Sequence, residues 1–372
     1  MLANRINSLT VRNYRSLADV TVELDDLTVL VGPNGSGKSN FLDVLRFVND
    51  ALRVGLDSAL LLHERGGIGS LRRYSTKGRP FDIYVSISLT LNDMNAKYDF
   101  VLGSQKRNEY VVKNENCVVG DQVFRTENGK MVESTFDFSP AIQTRNLTLP
   151  LISSHRPFDY LYEFLTTSGY YSIFPNDLRL PQSPGSYFPL ESSGKNFSSV
   201  LRELLRTSNE STKKELFTNL SRLIPEVDTN EPLVVMQVGS YLVTRVRYTY
   251  GGIFDLARES DGTIRLIGLL LALYQSPILP LVGIEEPELL IHPGVMGILC
   301  DILVEASTRQ QILLTTHSPD LIARFQPDSL RWVERREGTT RIERVSLENK
   351  TVIEERLFTA GDLLRLGSLA RG

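Results

Sequence analysis

Two kinds of apolar spacing alternate along this chain, and together they predict most of its elements. Residues 28–31, 281–284 and 312–316 are short, nearly unbroken apolar runs, the pattern of strands buried on both faces of a parallel sheet. Residues 6–11 and 20–24 alternate as half-buried strands do, with Asn13-Tyr14-Arg15-Ser16 between them. After the first run, Phe41, Leu42, Leu45 and Val48 recur at helical spacing, while residues 264–274 read as a nearly continuous apolar helix. A crossover helix over 293–307, opened by Pro293 at a permitted position, fits between the last two runs.

Between these pieces the spacing changes character. Residues 81–91, 98–102, 109–113 and 117–125 are β-prone runs divided by Asn, Asp and Gly turns, which predicts an antiparallel sheet. Across 151–225, Pro157, Pro175, Pro181, Pro184 and Pro189 interrupt short helices such as 197–206, the composition of a compact helical insertion. Residues 233–238 and 241–250 read as paired strands, and 330–334 and 341–345 as two more. No sustained heptad pattern supports a coiled-coil arm. The expected organisation is an N-terminal lobe with a β-subdomain over 1–150, a helical insertion over 151–230, the rest of the core over 231–350 and a tail over 351–372. The fold class is α/β, with a mixed central sheet, an N-terminal antiparallel β-subdomain and a helical lobe.

The chemistry begins where the first buried run meets its helix. Gly32-Pro33-Asn34-Gly35-Ser36-Gly37-Lys38-Ser39 fits G-x-x-x-x-G-K-S/T at a strand-to-helix turn, the setting a phosphate-binding loop requires. Its glycines let successive N–H groups curl around phosphates at a helix N-terminus. Lys38 would reach the β- and γ-phosphates, and Ser39 would place its hydroxyl on Mg²⁺. Asn34, Gly35, Ser36, Gly37 and Asn40 complete the candidate nucleotide contacts.

Composition narrows the setting without changing that reading. The 372 residues, 41% of them hydrophobic, can bury a substantial core. A net charge of -3 gives no global field toward nucleic acid or anionic lipid, so any such contact needs a local patch. Arg65, Arg72, Arg73, Lys77 and Arg79, opposed nearby only by Glu64, form one that could meet DNA or RNA phosphates; solvated loop arginines are the alternative. Cys117 and Cys300 are too few for a disulfide framework and suit reduced thiols in a cytoplasmic protein. The longest apolar stretch, 266–274, is far short of a membrane span, and no signal peptide is indicated.

Three further motifs follow the loop. The run 281–284 ends in Glu285-Glu286-Pro287, placing two carboxylates where a parallel strand meets the ligand edge of an open sheet. There Glu285 would orient Mg²⁺ and Glu286 would activate the attacking water. The run 312–316 ends in His317, in reach of a γ-phosphate. Ser260-Asp261-Gly262 opens the apolar helix, either as a plain cap or as an anion contact at its N-terminus.

In this order, Gly32 to Ser39, Ser260-Asp261-Gly262, Ile284-Glu285-Glu286-Pro287 and Thr316-His317-Ser318 resemble the heads of ABC-type P-loop ATPases. The nearest likeness is to the RecF/SMC-like branch called AAA family 21, which includes anti-phage defence ATPases and OLD-like ATPases without a TOPRIM domain. The segment 11–17 resembles the opening of such heads, where an arginine in the place of Arg15 approaches the nucleotide. The resemblance implies two ATP molecules held between two copies of the chain, with Ser260 and Gly262 binding the partner copy's γ-phosphate. It implies catalysis by Glu286, His317 and Lys38, and an ATP-gated switch in DNA repair or anti-phage defence. The chain departs from the pattern at Glu285, where many relatives have Asp, and at Asp261, where a small residue is usual. Gln105 and Gln143 are candidates for the glutamine of the Q-loop. An alternative is a regulatory or scaffold subunit whose bound ATP controls an effector protein with little turnover. A nuclease is disfavoured because the 55 residues after His317 are short for a TOPRIM domain, a transporter ATPase by the Arg15 opening and the acidic run Glu285-Glu286-Pro287-Glu288, and a GTPase by the lack of N-K-x-D.

Overall fold

The computed structural model describes residues 2–75, 80–104, 108–137, 141–346 and 360–365. The first third supplies β1 (Arg5–Tyr14), β2 (Leu17–Glu23), β3 (Leu27–Val31), β4 (Ile83–Leu91), β5 (Met94–Ser104), β6 (Tyr110–Val119), β7 (Gln122–Glu127) and β8 (Lys130–Ser134). All but β3 form an antiparallel sheet in the order β2-β1-β4-β5-β6-β7-β8. The rest supplies β9 (Gly169–Tyr171), β10 (Leu233–Val238), β11 (Tyr241–Arg247), β12 (Ile253–Asp255), β13 (Leu281–Glu285), β14 (Gln311–Thr316), β15 (Leu330–Arg336) and β16 (Thr339–Arg344). The central sheet runs β16-β15-β3-β14-β13-β9, parallel except for β16, and β10-β11-β12 form a small antiparallel sheet. The helices of ten or more residues among those described are α1 (Lys38–Val54), α2 (Phe158–Thr167), α3 (Phe197–Thr207), α4 (Glu210–Leu223), α5 (Asp261–Tyr274) and α6 (Met296–Ala306).

The unbroken apolar runs arise because the central strands divide two cores. Val29, Val31, Val282, Ile284, Ile312 and Leu314 face one core, packed with Ile264, Ile267 and Leu271 of α5 and with Leu299 and Leu303 of α6. Their neighbours Leu30, Leu281 and Leu313 face the other, packed with Phe41, Leu45 and Val48 of α1 and with Val11, Val85 and Tyr98 of the antiparallel sheet. Successive residues of a strand point to opposite faces, so burial on both sides demands apolar residues throughout. Helix α1 is thereby fixed between two sheets.

Three expectations need correction. The runs 109–113 and 117–125 are not separated by a turn at Asn114-Glu115-Asn116; β6 passes through them and the turn falls after Val119. Glu115 is tolerated there because its buried carboxylate accepts hydrogen bonds from the Tyr98 hydroxyl and from the Thr148 and Leu149 N–H groups. The segment expected as a helical insertion also supplies β9, which pairs in parallel with β13 at the sheet edge.

The arginine cluster turns inward. Arg65 has no exposed side-chain surface and donates to Asp43 at 2.9 Å and Asp50 at 2.7 Å, while Arg72 is buried against the Gly103 and Glu109 carbonyls at 3.0 Å. Arg73 lies over the Phe81 ring. Charges spent on buried partners have none left for phosphates, so the patch offered for DNA or RNA is structural at Arg65 and Arg72; Lys77, Arg79 and Gln105 lie outside the described residues. Gln143 lines a cavity of about 360 Å³ with Ala51, Leu52, Arg53 and Gly55, at the end of α1 away from the loop of residues 32–39. Both cysteines are buried and free, and among the described residues no helix is long and apolar enough to cross a membrane.

Candidate functional site

Three adjacent parallel strands end at one level. The pairings Thr316 with Val31 and Glu285 with Thr315 place Gly32, Glu286 and His317 at neighbouring strand ends, so residues nearly 290 apart converge without any local signal between them. This is the edge where open α/β sheets bind ligands.

The loop after β3 is shaped as an anion cradle. Helix α1 begins at Gly37 with no side-chain cap and no acid in its first turn, leaving its N–H groups available. Gly37 has φ 111°, and a Cβ there would lie 2.1 Å from Thr340 Oγ1, so only glycine fits. Lys38 Nζ donates to the Gly32 carbonyl at 2.7 Å and the Pro33 carbonyl at 3.1 Å, bracing the loop from within. Burial pulls the Lys38 ammonium below its ordinary value, and Glu286 and Glu288 act against that shift. Ser36 has a buried hydroxyl with no partner among the described residues, whereas Asn34, Gly35 and Ser39 are exposed. A glycine-lined cradle, an uncapped helix start and an aimed lysine fit a nucleotide triphosphate.

A hydroxyl chain holds this loop in place. Asn40 Nδ2 donates to Ser16 Oγ at 2.8 Å, Ser16 Oγ lies 2.7 Å from Thr340 Oγ1, and Thr340 Oγ1 donates to the Ser36 carbonyl at 2.7 Å. Because Asn40 donates at one end and a carbonyl accepts at the other, Ser16 must donate to Thr340. Arg15 enters from the same side, with φ 47°, and its Nη1 lies 3.4 Å from Asn40 Oδ1 and 3.2 Å from Asp43 Oδ2. Burial raises the Asp43 carboxyl, but Arg65 and Arg46 more than offset it and hold the group below its ordinary value. Arg15 is thus anchored beside the first turn of α1.

The acids at the end of β13 have different surroundings. Glu285 lies beside the Ser39 side chain, so the two residues expected at a metal are neighbours. Burial raises its carboxyl above the ordinary value, and Arg46 and Ser39 only partly reverse this. The folded chain therefore binds that proton more tightly than the unfolded chain does. Its stabilising contribution is complete below the ordinary carboxylate range and is lost as pH rises through the folded value, so the ionised group opposes folding at neutral pH. Glu285→Gln is accordingly expected to raise the melting temperature at pH 7 by about one degree, with the gain fading toward pH 4. Thermal melts over pH 4–8 check this.

Glu286 sits at φ 45°, its N–H donating to the Thr315 carbonyl at 2.9 Å. His317 Nδ1 donates to its Oε1 at 3.1 Å. Glu288, two residues on, was legible only as part of the acidic run. It is 8% exposed and accepts from the Thr316 hydroxyl and from the His317 N–H at 3.4 Å, and its Oε2 has no hydrogen-bond partner among the described residues. It fixes the backbone that presents His317.

Ser260 caps α5, accepting from the Thr263 N–H at 3.1 Å. Ser260 and Asp261 are exposed, as are Leu289 and Leu290, while Gly262 is half-buried. Arg179, for which the sequence carried no signal, donates to Asp261 Oδ1 and the Glu259 carbonyl, both at 2.7 Å, and neutralises the acid where a small residue is usual.

The sequence model of a family described as "AAA domain, putative AbiEii toxin, Type IV TA system" matches residues 27–323. The chromosome partition protein Smc of Desulfitobacterium hafniense (strain Y51) is 51% identical over 45 residues, 12% of this chain and only 4% of that protein's length. The crystal structure of the SmcHead bound to the C-winged helix domain of ScpA is similar with a TM-score of 0.55 at 16% identity, covering 93% of this chain and 99% of that one. An Smc head domain with a coiled coil and joint from Pyrococcus yayanosii gives a TM-score of 0.55 at 13% identity, covering 95% of this chain and all of that one. At these identities the structures speak to the fold, an SMC/ABC-type head.

Proposed function

From the premise that the chain belongs to this AAA family of ABC-type P-loop ATPases, we propose that it binds and hydrolyses ATP at a composite site shared by two copies of itself. The observation that carries this reading is the convergence of Lys38, Ser39, Glu285, Glu286 and His317 at three strand ends. The exposed helix start at Ser260 and Asp261, beside the half-buried Gly262, supports a contact supplied to another copy.

In this reading the N–H groups of Gly35 to Ser39 and the Lys38 ammonium hold the β- and γ-phosphates, and Arg15 and Asn40 flank them. Ser39 and Glu285 would hold Mg²⁺, which supplies charge neutralisation on the phosphates. Glu286 accepts the proton of the attacking water, and His317 keeps the Glu286 carboxylate turned toward the γ-phosphate. Ser260 and Gly262 of the partner copy close over the γ-phosphate, so ATP favours the closed pair and hydrolysis releases it. The family's description names an AbiEii toxin, which supports an anti-phage defence setting for the switch, with DNA repair as the other setting of such heads. An effector protein would read the closed state.

Complementation tests the composite site. Ser260→Asp preserves the helix cap but sets a negative charge where the γ-phosphate would bind, and Lys38→Ala removes the loop cation. Each variant alone is expected to be inactive. A 1:1 mixture should recover turnover clearly above either variant alone and up to about a quarter of wild type, because half the pairs carry one intact site of two; dependence of that site on a filled neighbour lowers the figure without abolishing it. A mixture as inactive as its parts would sink the composite reading.

A further inference from the structure

Two contacts fasten the start of α5 to the segment that follows β13. Arg265 is 2% exposed, and its Nη2 donates to the Glu285 carbonyl at 3.1 Å and the Glu286 carbonyl at 2.8 Å, while Nη1 donates to the Ile173 carbonyl. Gly262 abuts Leu290 so closely that a Cβ would lie 2.6 Å from its carbonyl oxygen. Residues 262 and 265 are three apart and share a helix face. The segment they grip is bent at both ends, with Glu286 at φ 45° and Leu290 at φ 66°, conformations that non-glycine residues keep only when their surroundings over-determine them.

Stability alone does not explain a guanidinium here. A buried cation is costly, and a well-packed apolar side chain of the same volume often serves the fold as well. The Arg265 Nε is moreover buried with no hydrogen-bond partner among the described residues. What the planar fork adds is a simultaneous grip on two successive carbonyls, one belonging to Glu286 itself. The same helix starts at Ser260, one and a half turns away.

Resting on the composite-site reading, we propose that Arg265 is a positioning residue that couples α5 to Glu286. Engagement of Ser260 and Gly262 by the nucleotide held on the partner's loop shifts or steadies α5, and Arg265 passes that change to the backbone of Glu286 in its own subunit. Each site then hydrolyses fully only when the other is filled. The coupling runs through a packed element and named hydrogen bonds, a physical connection between two sites.

Steady-state hydrolysis by the full chain tests this with two variants. Arg265→Lys keeps the charge but cannot fork across two carbonyls, and Arg265→Met keeps the length without the charge. Both are expected to lower kcat by about tenfold or more, to leave the KM for ATP within about twofold, and to bring the Hill coefficient for ATP down to 1 from a wild-type value above it. Melting temperature, and ATP-driven pairing in the Glu286→Gln background, should stay near wild type. Unchanged kcat and Hill coefficient would overturn the proposal. So would losses of melting temperature and ATP affinity that match the loss of kcat, since a packing residue would give those. A wild-type chain that neither binds nor hydrolyses ATP would overturn the underlying ATPase reading instead.

Discussion

Glu286→Gln is expected to lower ATP turnover by about 10²–10⁴-fold while leaving ATP affinity within a few-fold of wild type. An amide cannot take the proton of the attacking water. It can still accept the hydrogen bond from His317 Nδ1, 3.1 Å away in the native chain, and nothing in the substitution disturbs the Thr315 and Arg265 contacts to the Glu286 backbone. The geometry of the site therefore survives while its proton acceptor is lost, and the ATP-bound pair should accumulate. Phosphate release and equilibrium nucleotide binding, measured on the same preparation, separate the two effects. Loss of affinity in step with turnover would mean that Glu286 holds the nucleotide rather than serving its hydrolysis.

Lys38→Ala is expected to do the reverse, weakening ATP binding by about 100-fold or more, the loss of charge-assisted hydrogen bonds worth about 1.5–3 kcal/mol each. In the chain as folded, Lys38 braces the Gly32 and Pro33 carbonyls and is only 5% exposed, so the alanine removes both a phosphate contact and an internal strut of the loop. The fold itself should tolerate the change, because removing a buried ammonium also removes the cost of desolvating it. Calorimetric titration with ATP, beside a melting curve, is the check; wild-type affinity in this variant would contradict the assigned role of the loop.

The parts of this molecule that were legible in its sequence are those whose physics is local. The runs ending at Val31, Ile284 and Thr316 had to be central strands because both of their faces are buried, and the helix after Ser39 announced itself by the spacing of Phe41, Leu42 and Leu45. Glu285, Glu286 and His317 could be placed at one sheet edge because each ends such a run. What escaped depends on partners far away in the chain. Arg65 read as a surface arginine, solvated or open to phosphates, until Asp43 and Asp50 surrounded it, and Asn114-Glu115-Asn116 looked like a turn until the Thr148 and Leu149 N–H groups met the Glu115 carboxylate. Thr340 braces a loop more than 300 residues earlier, and Arg265 is the one charged residue beyond the first turn of α5, in an apolar stretch. A pattern of spacing shows that such a residue is out of place but not which carbonyl it will meet.

The central claim is that ATP closes two copies of this chain over shared sites. Light scattering on size-exclusion-purified Glu286→Gln protein, run with Mg²⁺ and with or without ATP, tests it most directly. The account predicts a single-chain mass without ATP and a doubled mass with it, the doubling abolished when Ser260→Asp is added. A mass that stays at one chain while ATP is demonstrably bound, or a pair whose abundance ignores ATP, would contradict it.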